Sequence, residues 1–157
     1  MNIRPKFPPH QQMTIEEFLA FTETRPQEER WELIEGVALM NPSPTQWHQR
    51  IALNVSGALD EAKLLQNATW TPMLGVGTRV PVSPRSLPQP GFYVQAGAAE
   101  DSPVTGDALV LIEVLSRSNA RADQAWRKRV YASVPNCQHY VTVSTKSALV
   151  TRYDRAD

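Results

Sequence analysis

One carboxylate lies in the middle of an oily run, Leu109-Val110-Leu111-Ile112-Glu113-Val114-Leu115. Alternation puts Glu113 on the side of Leu109, Leu111 and Leu115, while Val110, Ile112 and Val114 take the other side. A strand that is apolar on both sides is covered on both sides. A bare carboxylate there is costly unless it is paired, protonated or bound to a metal. The alternative is a strand end that opens to solvent, since Ser116-Arg117-Ser118 follows at once, and the strand alone slightly favours it. The next segment is locally basic: Arg117, Arg121, Arg127, Lys128 and Arg129 against Asp123. Phosphodiester hydrolysis uses hard oxygen ligands for Mg²⁺ and a nearby cation to stabilise charge on the phosphoryl group. A covered acid followed by a basic helix meets both needs. A solvated basic helix face is the ordinary alternative, and Asp123 with Arg127 has the i,i+4 spacing of a surface pair.

Other polar residues carry weaker signals. Glu32 alternates with Trp31 and Leu33, so it either joins Glu113 or faces water, and spacing alone favours water. His48 falls at a helix start, where a general base and a local hydrogen-bonding role are both open. His10 and His139 have no identifiable partners, so no His-based zinc site is indicated. Gly75-Val76-Gly77 lacks the other positions of either nucleotide fingerprint. Ser43, Ser116 and Ser118 have no nucleophile-elbow context.

These side chains need elements to hold them. Thr14-Ile15-Glu16-Glu17 has the form of a capping box, which predicts a helix over about 14–22. Trp31–Ile34 and Val37–Met40 read as a hairpin turning at Glu35-Gly36. Asn41-Pro42-Ser43-Pro44 breaks the chain before a helix over about 45–66. Ile51, Val55, Ala58, Leu59, Ala62 and Leu65 form its apolar stripe, and Gly57 is its weak point. Val76–Val82 and Phe92–Val94 read as strands, and 96–107 as a loop of small residues. Residues 109–115 form the covered strand. A third helix spans about 119–134, with Asn119 as cap, Ala122, Trp126 and Val130 as its buried stripe, and Pro135 ending it. His139–Val143 and Ala148–Tyr153 close the fold. This order gives an α+β (α/β) chain with one mixed sheet.

A chain of 157 residues suits a single domain. The 16 basic and 16 acidic residues cancel, which argues against a general electrostatic grip on nucleic acid and leaves only local basic surface. No run is long and apolar enough for a membrane span, and the polar, Pro-rich start reads as a loose arm rather than a signal peptide. The lone Cys137 excludes an internal disulfide. These absences fit a cytoplasmic protein.

Several blocks together resemble the Uma-two family of bacterial endonucleases. They are Trp31-Glu32-Leu33-Ile34-Glu35-Gly36, Asn41-Pro42-Ser43-Pro44, His48-Gln49-Arg50-Ile51 and Leu111-Ile112-Glu113-Val114-Leu115-Ser116-Arg117-Ser118. Asp123, Tyr131 and Val134-Pro135 with His139–Val143 extend the likeness, which covers about residues 13–154. It implies a restriction-endonuclease-like mixed sheet flanked by helices, behind an N-terminal helix and hairpin. Residues 1–12 would be an arm and 13–157 the domain. It also implies a variant PD-(D/E)xK site and Mg²⁺- or Mn²⁺-dependent cleavage of DNA.

Carried over residue by residue, Glu113 matches the family Glu as metal ligand, and Glu32 an auxiliary acidic ligand. The family's Pro-Asp falls on Pro90-Gly91, so Gly91 stands where the metal-binding Asp belongs. The family Lys falls on Arg127, with Lys128 adjacent but about 100° further round the helix. Arg127 and Lys128 are then the phosphate-facing catalytic cations, and Arg117, Arg121 and Lys128 the nucleic-acid contacts. Arg for Lys keeps charge but changes hydrogen-bond geometry. Gly for Asp removes a ligand, so metal binding and hydrolysis should weaken greatly. Glu100, Asp101 and Asp107 could replace it only if their loop folds back. The alternative reading is a non-catalytic module, with room for a homodimer, that holds nucleic acid or protein through the basic helix.

Overall fold

The computed structural model describes residues 12–116 and 121–156. Most of the predicted arm, Arg117 and the predicted cap Asn119 lie outside the described residues. Helix α1 (Ile15–Glu23) begins as its sequence demands. The Thr14 hydroxyl accepts from Glu17 N at 3.2 Å, and Glu17 accepts from Thr14 N at 2.8 Å. Strands β1 (Arg30–Ile34) and β2 (Val37–Asn41) form the predicted antiparallel hairpin. Its turn needs two consecutive left-handed residues, supplied by Glu35 (φ 50°) and Gly36 (φ 81°). Ile15, Phe18, Leu33, Ala38 and Leu87 form a core beneath this unit.

Helix α2 (Gln46–Leu65) is capped by Thr45, whose hydroxyl accepts from His48 N. Its half-buried Ile51, Ala52, Val55 and Leu59 cover Phe92, Ile112 and Val114. Leu65, predicted in this stripe, is 80% exposed, and Ala58 also faces out. Nothing lies within 4 Å of a Cβ placed on Gly57. Gly57→Ala is therefore expected to stabilise the protein by about 0.5–1 kcal/mol in chemical denaturation, because alanine gives up less backbone entropy in a helix.

Strands β3 (Thr71–Leu74), β5 (Phe92–Gln95), β7 (Val110–Val114), β8 (His139–Val143) and β9 (Val150–Asp154) form one mixed sheet in the order β3-β5-β7-β8-β9. Pro72 is tolerated because β3 is an edge strand. Among the described residues of this sheet only β7 and β8 pair in parallel, and helix α3 (Arg121–Tyr131) supplies the crossover that such a pair requires. The predicted strand 76–82 is not formed. Only β4 (Gly77–Thr78) pairs there, with β6 (Val104–Thr105) inside the predicted loop. The segment after it is a proline-punctuated loop, with turns at 81–85. Helix α2 covers one face of β7 and α3 the other, so β7 is the central covered strand that its sequence implies.

Helix α3 differs from its predicted orientation. Its buried residues are Arg127, Val130 and Tyr131, with Val134 beyond its end. Ala122 is exposed and Trp126 only half-buried. The apolar stripe predicted for this helix omitted the two polar-tipped side chains that turn inward.

Candidate functional site

Arg127 is 8% exposed and reaches three acids, two on other segments of the chain and Asp123 on its own helix. Nη2 donates to Glu32 Oε2 at 2.8 Å and Nη1 to Glu32 Oε1 at 3.0 Å, a two-pronged pairing. The same Nη1 donates to Glu113 Oε1 at 3.0 Å and to the Tyr131 hydroxyl at 3.2 Å. Nε reaches Asp123 Oδ2 at 3.3 Å. The Tyr131 hydroxyl donates to Glu113 Oε1 at 3.0 Å. Glu32 also accepts from the Gln89 backbone N–H at 2.6 Å.

Each residue arrives by a local cause. Asp123, Arg127 and Tyr131 are spaced i, i+4, i+8 on α3 and share one face. Glu113 projects from β7 on the Leu111 side, toward that helix. Glu32 is 3% exposed, which corrects the solvent-facing assignment that spacing favoured. Both sides of β1 are covered: Leu33 enters the α1 core, and Glu32 turns toward Arg127.

Electrostatics follow from burial. Burial alone would raise the Glu32 carboxyl, but the Arg127 charge and hydrogen bonds from Arg127, Gln89 and Asn41 outweigh it and hold the group below its ordinary value. Glu113 goes the other way. Burial, with repulsion from Glu32 and Asp123, overcomes the pull of Arg127 and Tyr131 and pushes it up to about 7. Burial opposes the Arg127 charge, while Tyr131, Glu32 and Glu113 more than restore it, so the guanidinium stays charged.

Gly91 precedes β5 and lies against this centre. A Cβ on it would stand 4.0 Å from Glu113 Cα, 3.6 Å from Val114 N and 3.3 Å from Ile112 O. Its loop is fixed by Gly75, where any Cβ would collide with Pro90 O, and by Gln89 Nε2, which donates to Gly75 O at 2.7 Å. The side chain missing at position 91 is thus missing beside Glu113.

The other candidates are placed elsewhere. Lys128 is exposed, and its Nζ sits 4.3 Å from the Tyr153 ring, away from the two acids. Arg121 is exposed at the start of α3. His48 Nε2 donates to the Val114 carbonyl at 3.0 Å, a tie between α2 and β7 rather than a local bond. His139 does have a partner, Asp154 at 2.7 Å, which corrects the sequence reading. Asp107 accepts from Asn136, and Glu100 and Asp101 are exposed. Tyr131 was overlooked as a site residue, although its position four residues after Arg127 was a usable signal.

A divalent metal does not fit these residues. Mg²⁺ asks for oxygens at about 2.0–2.1 Å in an octahedron. Here the gap between Glu32 and Glu113 is filled by the Arg127 guanidinium, and Gly91 offers no side-chain oxygen. Among the described residues, no three His, Cys, Asp or Glu side chains form a group able to hold a metal ion.

The five-stranded mixed sheet with covering helices is shared with a solved structure. A solved structure described as "a putative nuclease belonging to DUF820 from Anabaena variabilis" matches with a TM-score of 0.72 at 16% identity, over 92% of this chain and 81% of that chain. The family model described as "Uma2: Putative restriction endonuclease" matches residues 15–157, and the chain belongs to that family. No curated protein matches the chain by sequence. Among the described residues, no helix is long and apolar enough to cross a membrane.

Proposed function

We propose that this chain is an endonuclease-family protein in which metal-dependent phosphodiester hydrolysis is weak or lost. The observation that carries the reading is the Arg127 guanidinium lodged between Glu32 and Glu113, with glycine at position 91 beside them. A carboxylate that is neutralised internally cannot also recruit a cation and activate water. In plasmid and single-stranded DNA assays with Mg²⁺ or Mn²⁺, no cleavage is expected that depends on Glu113. Metal-dependent cleavage that disappears in Glu113→Ala would overturn the reading.

A second reading is a non-catalytic module that holds nucleic acid. It is favoured by a groove of about 460 Å³ lined by Lys128, Arg129, Tyr153 and Arg155, with His139 paired to Asp154 in the same wall. With a net charge of zero, a cluster of cations is the local surface that a phosphate backbone would need. Fluorescence anisotropy should then show salt-dependent DNA binding. Lys128→Ala and Arg129→Ala should each weaken it and lower the log–log salt slope by about 1. No binding at low salt would reject this reading.

A further inference from the structure

We propose that the outer side of helix α2 docks a second copy of this chain, with the two α2 helices antiparallel across a twofold axis near Ser56. The interface uses none of the residues around Arg127, so it stands whether or not the chain cleaves DNA.

Helix α2 is 20 residues long, yet none of its residues is fully buried. Ile51, Val55 and Leu59 rest on the sheet. The other sides of the helix carry large apolar groups into solvent. Trp47 is 62% exposed, Leu53 66%, and Leu64 and Leu65 80% each. Trp47 is also held in place, because its indole Nε1 donates to the Thr145 carbonyl at 3.0 Å. A fixed, exposed tryptophan among leucines has the composition of an interface core.

The helix repeat arranges these groups. At about 100° per residue, Arg50, Gly57 and Glu61 fall within about 40° of one another, on the side away from the sheet. Leu53 and Leu64 border that line on one flank, and Trp47, Ala58 and Leu65 on the other. Asn54, Gly57 and Ala58 put short side chains at mid-helix, where two helices can approach closely. Nothing in the chain itself lies within 4 Å of a Cβ at Gly57, and a single methyl there keeps the low profile.

Charge selects the partner and its direction. Arg50 and Glu61 lie toward opposite ends of the line. Both are exposed, and neither forms an ion pair among the described residues. A parallel pair of α2 helices would set arginine against arginine and glutamate against glutamate. An antiparallel pair with its axis near Ser56 sets Arg50 of each copy against Glu61 of the other. The same axis sets Trp47 against Leu65 and brings Leu64 within one turn of Leu53, each contact occurring twice. A patch that matches itself in charge and in apolar groups about one axis is what an isologous dimer requires.

The test measures the mass of the full chain by sedimentation velocity from about 1 to 100 μM. Wild type should be dimeric at the top of that range. Arg50→Glu alone and Glu61→Arg alone each place like charges at both pairs, and each should weaken the dimer by about tenfold or more. Mixing the two single variants should restore a dimer, because every pair then joins opposite charges. The double variant should dimerise as wild type does. Both positions are exposed, so far-UV circular dichroism should match wild type throughout. A wild type that stays monomeric across the range would overturn the proposal. So would a dimer that Arg50→Glu leaves unchanged, or two folded single variants that do not associate on mixing.

Discussion

Arg127→Ala is expected to cost about 3–5 kcal/mol of stability in urea unfolding at neutral pH, because removing one partner of a buried ionic cluster strands the charges it served. Glu32 is 3% exposed and loses both guanidinium prongs, keeping the Gln89 N–H and its bond from Asn41. Glu113, with its side chain 14% exposed, loses its cation as well. The cluster also joins segments far apart in sequence: the hairpin at Glu32, strand β7 at Glu113 and helix α3. A surface arginine in an i,i+4 pair, such as Arg25 with Glu29, should cost far less when truncated. Equal losses at Arg25 and Arg127 would remove the basis for treating this centre as a buried staple.

Stability should also fall as pH rises from about 4.5 to about 7. Glu113 keeps its proton up to about 7 in the folded chain, against 4.5 for an ordinary glutamate. Between those values the native state binds more protons than the unfolded state, so each pH unit upward removes stability, on the order of 3 kcal/mol over the window. Above pH 7 both states are deprotonated and the curve flattens. Glu32 has the opposite sign: held below its ordinary value, it contributes stability above that value that is lost on acidification. The carboxylates of half-buried Glu29 and exposed Asp154, also held low by their partners, act on the same acidic limb. Glu113→Gln should flatten the falling limb, since its amide is neutral at every pH. Parallel curves for wild type and Glu113→Gln would show that another group sets the slope.

The sequence was most legible where one short-range rule decided the outcome. The capping box placed α1, Glu35-Gly36 placed the hairpin turn, and the two-sided apolar run placed β7 at the centre of the sheet. It was least legible where tertiary contacts decided. Residues 76–82 have strand-like composition, yet prolines and close packing at Gly75 turn the segment into a loop. On α3, apolar periodicity selected Ala122, Trp126 and Val130, while ion pairing drew Arg127 and Tyr131 inward. Glu32 shows the same limit. Alternation reports a strand's two sides, but it cannot say that a guanidinium some ninety residues away covers the polar one. Glu113 was legible because a carboxylate in an apolar run demands a partner. The partner's identity came only from matching motif positions, and Tyr131 was missed because a tyrosine on a helix face gives no charge signal.

The most direct test is a crystal structure of the wild-type chain soaked in Mn²⁺, with anomalous scattering recorded at the metal's absorption edge. No anomalous peak is expected between Glu32 and Glu113, where density should show the Arg127 guanidinium. A peak about 2.2 Å from a Glu113 carboxylate oxygen, with Arg127 swung out of the gap, would contradict it.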